Sequence, residues 1–200
     1  MHITAIYGSP RKGGNTDLLM EACLHGVHAG GQSVHEIFLR DLHFSPCIEC
    51  GGCATTGICV LRDDMDLIYP HLTSSACIIV SAPVFFYGLN AHTKAMIDRT
   101  QCLWVKKYLL QQPVRIPPFS EGHGVLLSTG GSRGKKNFDG ILLTMKYFYD
   151  ALDMKLTRYL TFHGIDECGA VTTHPTALDD AFNLGKEISA SIESLKGVVP

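Results

Sequence analysis

Residues 3–19 read ITAIYGSPRKGGNTDLL, and they decide the fold because they join a strand directly to a helix. Residues 2–7 are mostly apolar, which predicts a strand that ends at the turn-forming residues 8–10. Residues 15–29 repeat apolar side chains at helical spacing, which predicts an amphipathic helix that two glycines terminate. A strand that runs straight into a helix is the first half of a βαβ unit.

The rest of the chain repeats this alternation of strands and helices. Further strands are predicted at residues 34–39, 76–81, 124–128 and 156–162. Segments with apolar side chains at helical spacing separate and follow them. Five strands that alternate with helices predict an α/β fold with an open parallel sheet and right-handed crossovers.

The polarity of the predicted strands indicates their order in the sheet. The first, third and fourth strands are mostly apolar, so we place them inside. The second carries His35 and Glu36 and the fifth carries Thr157 and Arg158, as edge strands tolerate. This pattern fits a flavodoxin-like, doubly wound sheet with the strand order 2-1-3-4-5. Ligands of such sheets bind beyond the carboxyl ends of the strands, which directs attention to the loops after strands one, three and four.

The composition limits the classes of protein to consider. The 200 residues are 46% hydrophobic and 18% charged, which predicts one packed domain over residues 1–200. A net charge of -2 gives no reason to expect a nucleic-acid partner. No apolar run reaches the roughly 20 residues of a membrane helix, and residues 1–7 are too short for a signal peptide. We therefore expect a cytoplasmic protein with no membrane partner.

The loop after the first strand has the chemistry of a phosphate site. Its glycines let the backbone fold closely around an anion, its cations and short polar side chains offer donors, and the helix N-terminus adds free N–H groups. The candidate phosphate-binding residues are Ser9, Arg11, Lys12, Gly14, Asn15 and Thr16. The loop matches neither the Walker A nor the G-x-G-x-x-G pattern. The alternative is an ordinary strand-to-helix loop in which Asn15 caps the helix.

Half of the eight cysteines lie in one short segment with the spacing C-x2-C-x2-C-x5-C, namely Cys47, Cys50, Cys53 and Cys59. In a reducing compartment such a cluster indicates metal or redox chemistry rather than disulfides. The run resembles the bacterial ferredoxin pattern, with Cys59 completing the set, which predicts a [4Fe–4S] cluster in an insertion at about residues 43–63, after strand two. A structural zinc ion and plain thiols are the alternatives.

Three segments together resemble the flavodoxin-like FMN reductases. They are residues 8–17, GSPRKGGNTD, residues 81–99, SAPVFFYGLNAHTKAMIDR, and residues 128–138, STGGSRGKKNF. The cysteine segment narrows the resemblance to the iron–sulfur flavoproteins of anaerobic prokaryotes, within the NADPH-dependent FMN reductase superfamily. The resemblance runs from about residue 3 to residue 162.

The resemblance implies that FMN binds at the three loops. In the loop after strand three, a proline fixes the turn and three aromatic side chains can wall the flavin ring. The loop after strand four offers main-chain groups to the pyrimidine edge. The predicted contacts of the ring are Pro83, Val84, Phe85, Phe86, Tyr87, Gly88, Thr129, Gly130 and Gly131. An aromatic run can also be ordinary core packing, but its place at the carboxyl end of a strand favours the cofactor.

These features predict an oxidoreductase that transfers electrons between a one-electron donor, a [4Fe–4S] cluster and FMN, to an unidentified acceptor. The resemblance implies ferredoxin as the donor and a homodimer or homotetramer as the assembly. The alternatives are an NAD(P)H-dependent reductase of flavins, quinones or nitro compounds without a cluster, and a thiol or zinc redox sensor that keeps flavin as a structural ligand. No side chain is predicted to be catalytic. An excursion at about residues 102–122, which contains Trp104, either covers the flavin, packs against a second subunit or is a surface loop.

Overall fold

A parallel five-stranded sheet forms the centre of the computed structural model, which describes residues 2–117 and 121–196. The strands are β1 (Ile3–Tyr7), β2 (Val34–Phe38), β3 (Cys77–Ser81), β4 (Gly122–Gly130) and β5 (Met154–His163). Their order is 2-1-3-4-5, and every neighbouring pair is parallel. The predicted fold class, strand order and edge positions are confirmed. β4 and β5 are longer than predicted because their pairing continues beyond the apolar run into polar and glycine positions.

Helices cover both faces of this sheet. They are α1 (Asn15–Ala29), α2 (Met65–Ser74), α3 (Ala91–Arg99), α4 (Gln101–Trp104), α5 (Asp139–Ala151) and α6 (Ala177–Lys196). Short 3-10 turns occupy Leu39–Asp41 and Ala170–Thr173, and a π-helical turn occupies Val105–Leu109. Among the described residues, no helix has the length and apolar character that crossing a membrane requires.

The core consists of two apolar layers, one on each face of the sheet. Alternate side chains of β1 separate them, since Ile3 and Ala5 pack towards α1 and α6 while Ile6 packs towards α2, α3 and α5. Helices α1 and α6 approach very closely at two glycines: a Cβ atom at Gly26 would lie 2.0 Å from Phe182 O, and one at Gly185 would lie 1.9 Å from Cys23 O. This packing fixes α1, and with it the loop that precedes α1.

The sheet brings three loops together at one edge, because β1, β3 and β4 are neighbours and run in the same direction. The main chain of Gly8 is held between them: its N–H donates to Ser81 O at 2.7 Å, and its carbonyl accepts from Asn90 Nδ2 at 2.7 Å and from Thr93 Oγ1 at 3.3 Å. The loop after β1 therefore begins at a fixed point beside the end of β3.

The excursion after α3 begins as helix and ends where β4 starts. Residues 102–109 belong to α4 and the π-helical turn, which continue the course of α3. Trp104 is partly exposed there and lies 5.5 Å from the Tyr108 ring, centroid to centroid. Residues 118–120 of the excursion lie outside the described residues.

Candidate functional site

The loop after β1 wraps the N-terminus of α1. Gly14 is the N-cap of α1, and Asn15 is its first helical residue, so the alternative in which Asn15 caps the helix is wrong. Ser9 stabilises the turn, because its Oγ accepts a hydrogen bond from Arg11 N and donates to Arg11 O, both at 3.1 Å. The N–H groups of the first turn of α1 have no partner within the helix and face the space that this loop encloses.

An ion pair between Asp17 and Arg40, which the sequence analysis did not identify, stabilises this loop. Asp17 Oδ2 lies 2.9 Å from Arg40 Nη1 and accepts a hydrogen bond from Gly13 N at 3.0 Å. Arg40 Nη1 also donates to Ser9 O at 3.4 Å. Burial raises the pKa of Asp17, although Arg40 and the Gly13 N–H oppose that rise. The pair thus joins both ends of the loop to α1 and to the 3-10 turn that follows β2.

Asn15 connects the loop to the segment after β5. Its Nδ2 donates to Glu167 O at 2.8 Å, and its Oδ1 accepts from Val171 N at 3.2 Å. These two hydrogen bonds position the loop, and the second N–H of Nδ2 leaves Asn15 a candidate contact of the ligand.

Most of the predicted FMN residues surround one cavity of about 160 Å³ at the carboxyl edge of the sheet. Predicted residues that line it are Ser9, Arg11, Gly14, Asn15, Thr16, Pro83, Val84, Phe85, Thr129, Gly130 and Gly131. Predicted residues outside its lining are Lys12, Phe86, Tyr87 and Gly88. The cavity also contains Pro10, Ile165 and Asp166, which the sequence analysis did not identify. The last two follow the edge strand β5, whose loop was not expected to reach the site.

The aromatic run after β3 forms a tight hairpin rather than a continuous wall. Val84–Phe85 pairs antiparallel with Gly88–Leu89, and the two residues between them turn the chain. Phe86 and Tyr87 have φ angles of 50° and 60°, a left-handed backbone that side chains other than glycine rarely adopt. Phe86 is fully exposed at the tip. Of the three aromatic residues Phe85, Phe86 and Tyr87, only Phe85 lines the cavity.

Close contacts fix the loop after β4. A Cβ atom at Gly130 would lie 2.3 Å from Asn137 Nδ2, and one at Gly131 would lie 2.9 Å from Asp166 Cγ. Asn137 is buried and donates to Ser132 O at 3.2 Å, so it holds the loop in place. Both glycines are therefore required for close approach of the backbone on this side of the cavity.

The cysteine loop lies between the 3-10 turn after β2 and helix α2. Glu49 and Gly51 have left-handed backbones on either side of Cys50, and they curl the chain. A Cβ atom at Gly52 would lie 2.7 Å from Val60 Cγ1, so the two arms of the loop touch. The curl brings all four cysteines of the motif to one cavity of about 290 Å³.

The four thiols of this cavity influence one another. Burial raises the pKa of Cys53, and the neighbouring thiols of Cys59, Cys47 and Cys50 raise it further. Among residues 2–117 and 121–196, however, no three His, Cys, Asp or Glu side chains converge as ligands of a single metal ion.

A fully buried arginine lies at the wall of this cavity and was also missed. Arg99, the last residue of α3, donates through Nη1 to Asp63 Oδ2 at 2.6 Å and to Ser45 O at 2.8 Å. Its Nη2 donates to Leu61 O at 3.4 Å. Burial lowers the pKa of Arg99, but Asp63, Tyr69 and Cys59 outweigh that effect, so the pKa is raised overall and the side chain stays charged.

A fifth thiol, that of Cys102, also lines the cavity of the four motif cysteines. Cys102 is buried in the wall of the cavity, and its Sγ lies 3.4 Å from Arg99 O. Burial raises the pKa of this thiol, which keeps it protonated. No role was predicted for Cys102 from the sequence.

Comparisons with known proteins agree with this architecture. A model of the NADPH-dependent FMN reductase family matches residues 1–155. An iron-sulfur flavoprotein of Methanosarcina thermophila is 38% identical over 133 residues, 66% of this chain and 65% of the relative. The chain thus spans less than two thirds of that relative's length.

Two further proteins match over nearly the whole chain. A Bacillus subtilis protein is 27% identical over 95% of this chain and 99% of its own length. Its name describes it as an NAD(P)H-dependent FMN-containing oxidoreductase. The structure of an NAD(P)H:quinone oxidoreductase from Methanothermobacter marburgensis superposes with a TM-score of 0.71 at 14% identity, covering 94% of this chain and 96% of that one. That likeness shows the fold alone. Because the family model spans residues 1–155, the chain belongs to the NADPH-dependent FMN reductase family.

Proposed function

We propose that this protein is an FMN-dependent oxidoreductase that carries a [4Fe–4S] cluster on Cys47, Cys50, Cys53 and Cys59. It moves electrons between a one-electron donor such as ferredoxin and a small two-electron acceptor. When bound, FMN supplies one- and two-electron chemistry and the cluster supplies one-electron exchange. Two one-electron donations, with two protons from solvent, balance one two-electron reduction of the acceptor. We further expect a homodimer or homotetramer in the cytoplasm.

The arrangement of the cysteine thiols is the observation that carries this proposal. Four thiols line one cavity of about 290 Å³, which Val60, Leu61 and Val105 partly wall with apolar surface. A zinc ion needs ligands that converge on one point, whereas a cluster of iron and sulfide fills a volume between its thiolates. The donor set and the space it surrounds therefore favour the cluster over a zinc site.

The residues at the carboxyl edge of the sheet suit a flavin phosphate and ring. The first turn of α1 and the Arg11 guanidinium stabilise negative charge, and the Ser9–Arg11 turn keeps the backbone close to it. Pro83 and Val84 offer a rigid apolar surface, and Thr129 and Gly130 line the same cavity. These groups bind and orient the cofactor.

A cluster-free NAD(P)H-dependent reductase is the second candidate. The Bacillus relative supports it, because that protein aligns with 95% of this chain and is named as an NAD(P)H-dependent FMN-containing oxidoreductase. The two candidates share the flavin site and differ in the electron donor and in what the cysteine loop holds.

Elemental analysis of protein purified without oxygen tests the proposal. We expect FMN, with about four iron and four sulfide per chain. Cys53→Ser removes one of the four thiols and should abolish the iron while FMN remains bound. Cys168→Ser is the matched control, because this exposed cysteine lies outside the thiol cavity and should leave the iron unchanged. Zinc in place of iron supports a redox sensor, and FMN with neither metal but rapid NAD(P)H oxidation supports the cluster-free reductase.

A further inference from the structure

The guanidinium of Arg99 occupies an unusual place for a positive charge. Its side chain has no exposed surface, and burying a charge is costly unless partners compensate it. The partners of Nη1 and Nη2 are Ser45 O, Leu61 O and Asp63 Oδ2, which lie on the two sides of the cysteine segment. One arginine thus fastens both ends of the loop that contains the four thiols.

The third nitrogen of this guanidinium remains available. Arg99 Nε is buried and has no hydrogen-bond partner among the described residues. Arg99 lines the thiol cavity, and the Cys59 thiol is near enough to contribute to its raised pKa. Asp63 compensates the positive charge through a 2.6 Å ion pair, but it leaves the Nε–H donor unsatisfied. A buried donor without a partner points to an acceptor that the cavity receives.

We propose that Arg99 is a positioning residue for the group held in the thiol cavity, fastening the loop at both ends and raising the reduction potential of that group by its charge and its Nε–H. This inference rests on the proposed function, because it concerns the cluster. Net charge and hydrogen bonds to sulfur set the potentials of iron–sulfur clusters. A desolvated cation at the cavity wall stabilises the reduced state, which carries one more negative charge, more than the oxidised state.

Substitutions of opposite sign separate this electrostatic role from a purely structural one. Arg99→Gln removes the cation, and Asp63→Asn removes the compensating anion while keeping a similar shape. We expect the cluster potential to fall in the first variant and to rise in the second. The fall should lower the ratio of reduced to oxidised cluster at fixed ambient potential about tenfold, equal to 59 mV for one electron. Arg62→Gln is the control, because its side chain is largely exposed and its charge is screened by solvent.

The readouts are a spectroscopic redox titration of the reconstituted protein and amide hydrogen exchange of the loop in metal-free protein. The flavin potential of each sample serves as an internal reference. Exchange of residues 43–63 should accelerate in Arg99→Gln and stay unchanged in Arg62→Gln. Arg99→Lys keeps the charge but loses the planar fork, so we expect it to restore much of the potential and little of the exchange protection.

Several results would overturn the inference. Shifts of the same sign in Arg99→Gln and Asp63→Asn would show a structural effect alone, and an unchanged potential in loaded Arg99→Gln would remove the electrostatic role. If the variants hold no iron, unaltered exchange in metal-free Arg99→Gln refutes the fastening role on its own. A wild-type protein that takes up no cluster overturns the proposed function and this inference together, and it shows itself before any variant is made.

Discussion

Gly8→Ala tests whether the close contact between the ends of β1 and β3 is what fixes the phosphate loop. A Cβ atom at this position would lie 2.2 Å from Thr93 Oγ1 and 2.9 Å from Ser81 O. The Ser81 carbonyl belongs to the paired β3 strand and cannot rotate away. Thr93 can turn only by giving up its hydrogen bonds to Asn90 Oδ1, at 2.8 Å, and to Gly8 O.

The expected cost follows from these two contacts. Forcing an extra methyl group into a packed site costs about 1–3 kcal/mol. Thr93 Oγ1 carries one proton and donates to either Asn90 Oδ1 or Gly8 O at a time, so losing that hydrogen bond adds about 1 kcal/mol. We therefore expect Gly8→Ala to lower the free energy of unfolding by about 3 kcal/mol. Because the shifted loop is the proposed phosphate site, FMN affinity should also fall about tenfold, which corresponds to ~1.4 kcal/mol.

Urea denaturation of flavin-free protein and fluorescence titration with FMN measure the two effects. Gly31→Ala is the control: Gly31 has a φ of 82° but open space around it, so only backbone strain of about 1 kcal/mol should appear, with no change in FMN affinity. Adding Thr93→Ala to Gly8→Ala removes the nearest atom and should recover part of the lost stability. A Gly8→Ala protein with wild-type unfolding energy and wild-type FMN affinity would refute the reasoning.

Three other substitutions test further features of the structure. Arg40→Met leaves Asp17 buried without its cation and should cost about 3 kcal/mol at pH 7, with a smaller deficit near pH 5 because the Asp17 carboxyl can then protonate; an equal deficit at both pH values would contradict this. Burial and two neighbouring imidazoles, including His35 stacked at 3.8 Å, lower the pKa of His71. The unfolded chain then binds the extra proton, so the free energy of unfolding should fall as the pH drops below about 6.5. His71→Gln should flatten that fall in urea denaturation at several pH values. If the variant keeps the wild-type pH dependence, another group causes it. Tyr87→Gly removes the side chain from a residue with a left-handed backbone in an exposed turn, and it should raise the free energy of unfolding by about 0.5–1 kcal/mol. A lower free energy of unfolding, measured by denaturation, would show that the contacts of the Tyr87 ring stabilise the fold by more than the backbone strain costs.

Local sequence patterns were sufficient to predict the strand order of the sheet, because the polarity of each strand depends on its position in the sheet. The apolar strands β1 and β3 are buried along their whole length, and the mixed strands β2 and β5 lie at the edges, so composition encodes the order. Local patterns did not predict that the aromatic run folds back as a hairpin. A count of aromatic residues cannot reveal that Phe86 and Tyr87 form the turn of a hairpin, because that depends on how the chain pairs on either side.

The cysteine loop shows where such reasoning ends. Spacing alone suffices to group Cys47, Cys50 and Cys53, because residues three apart in a curled segment are neighbours, and Cys59 follows only six residues later. The closure of the loop depends instead on Arg99, which meets Asp63 from 36 positions away along the chain. In the sequence, Arg99 looks like an ordinary basic residue at a helix C-terminus and Asp63 like a helix-capping residue. Asp63 does accept a hydrogen bond from Met65 N at the start of α2, but its other oxygen receives Arg99. Ligands that are close in sequence can thus be found from their pattern, whereas the buried charge that we expect to tune them arises only when the sheet brings α2 and α3 side by side.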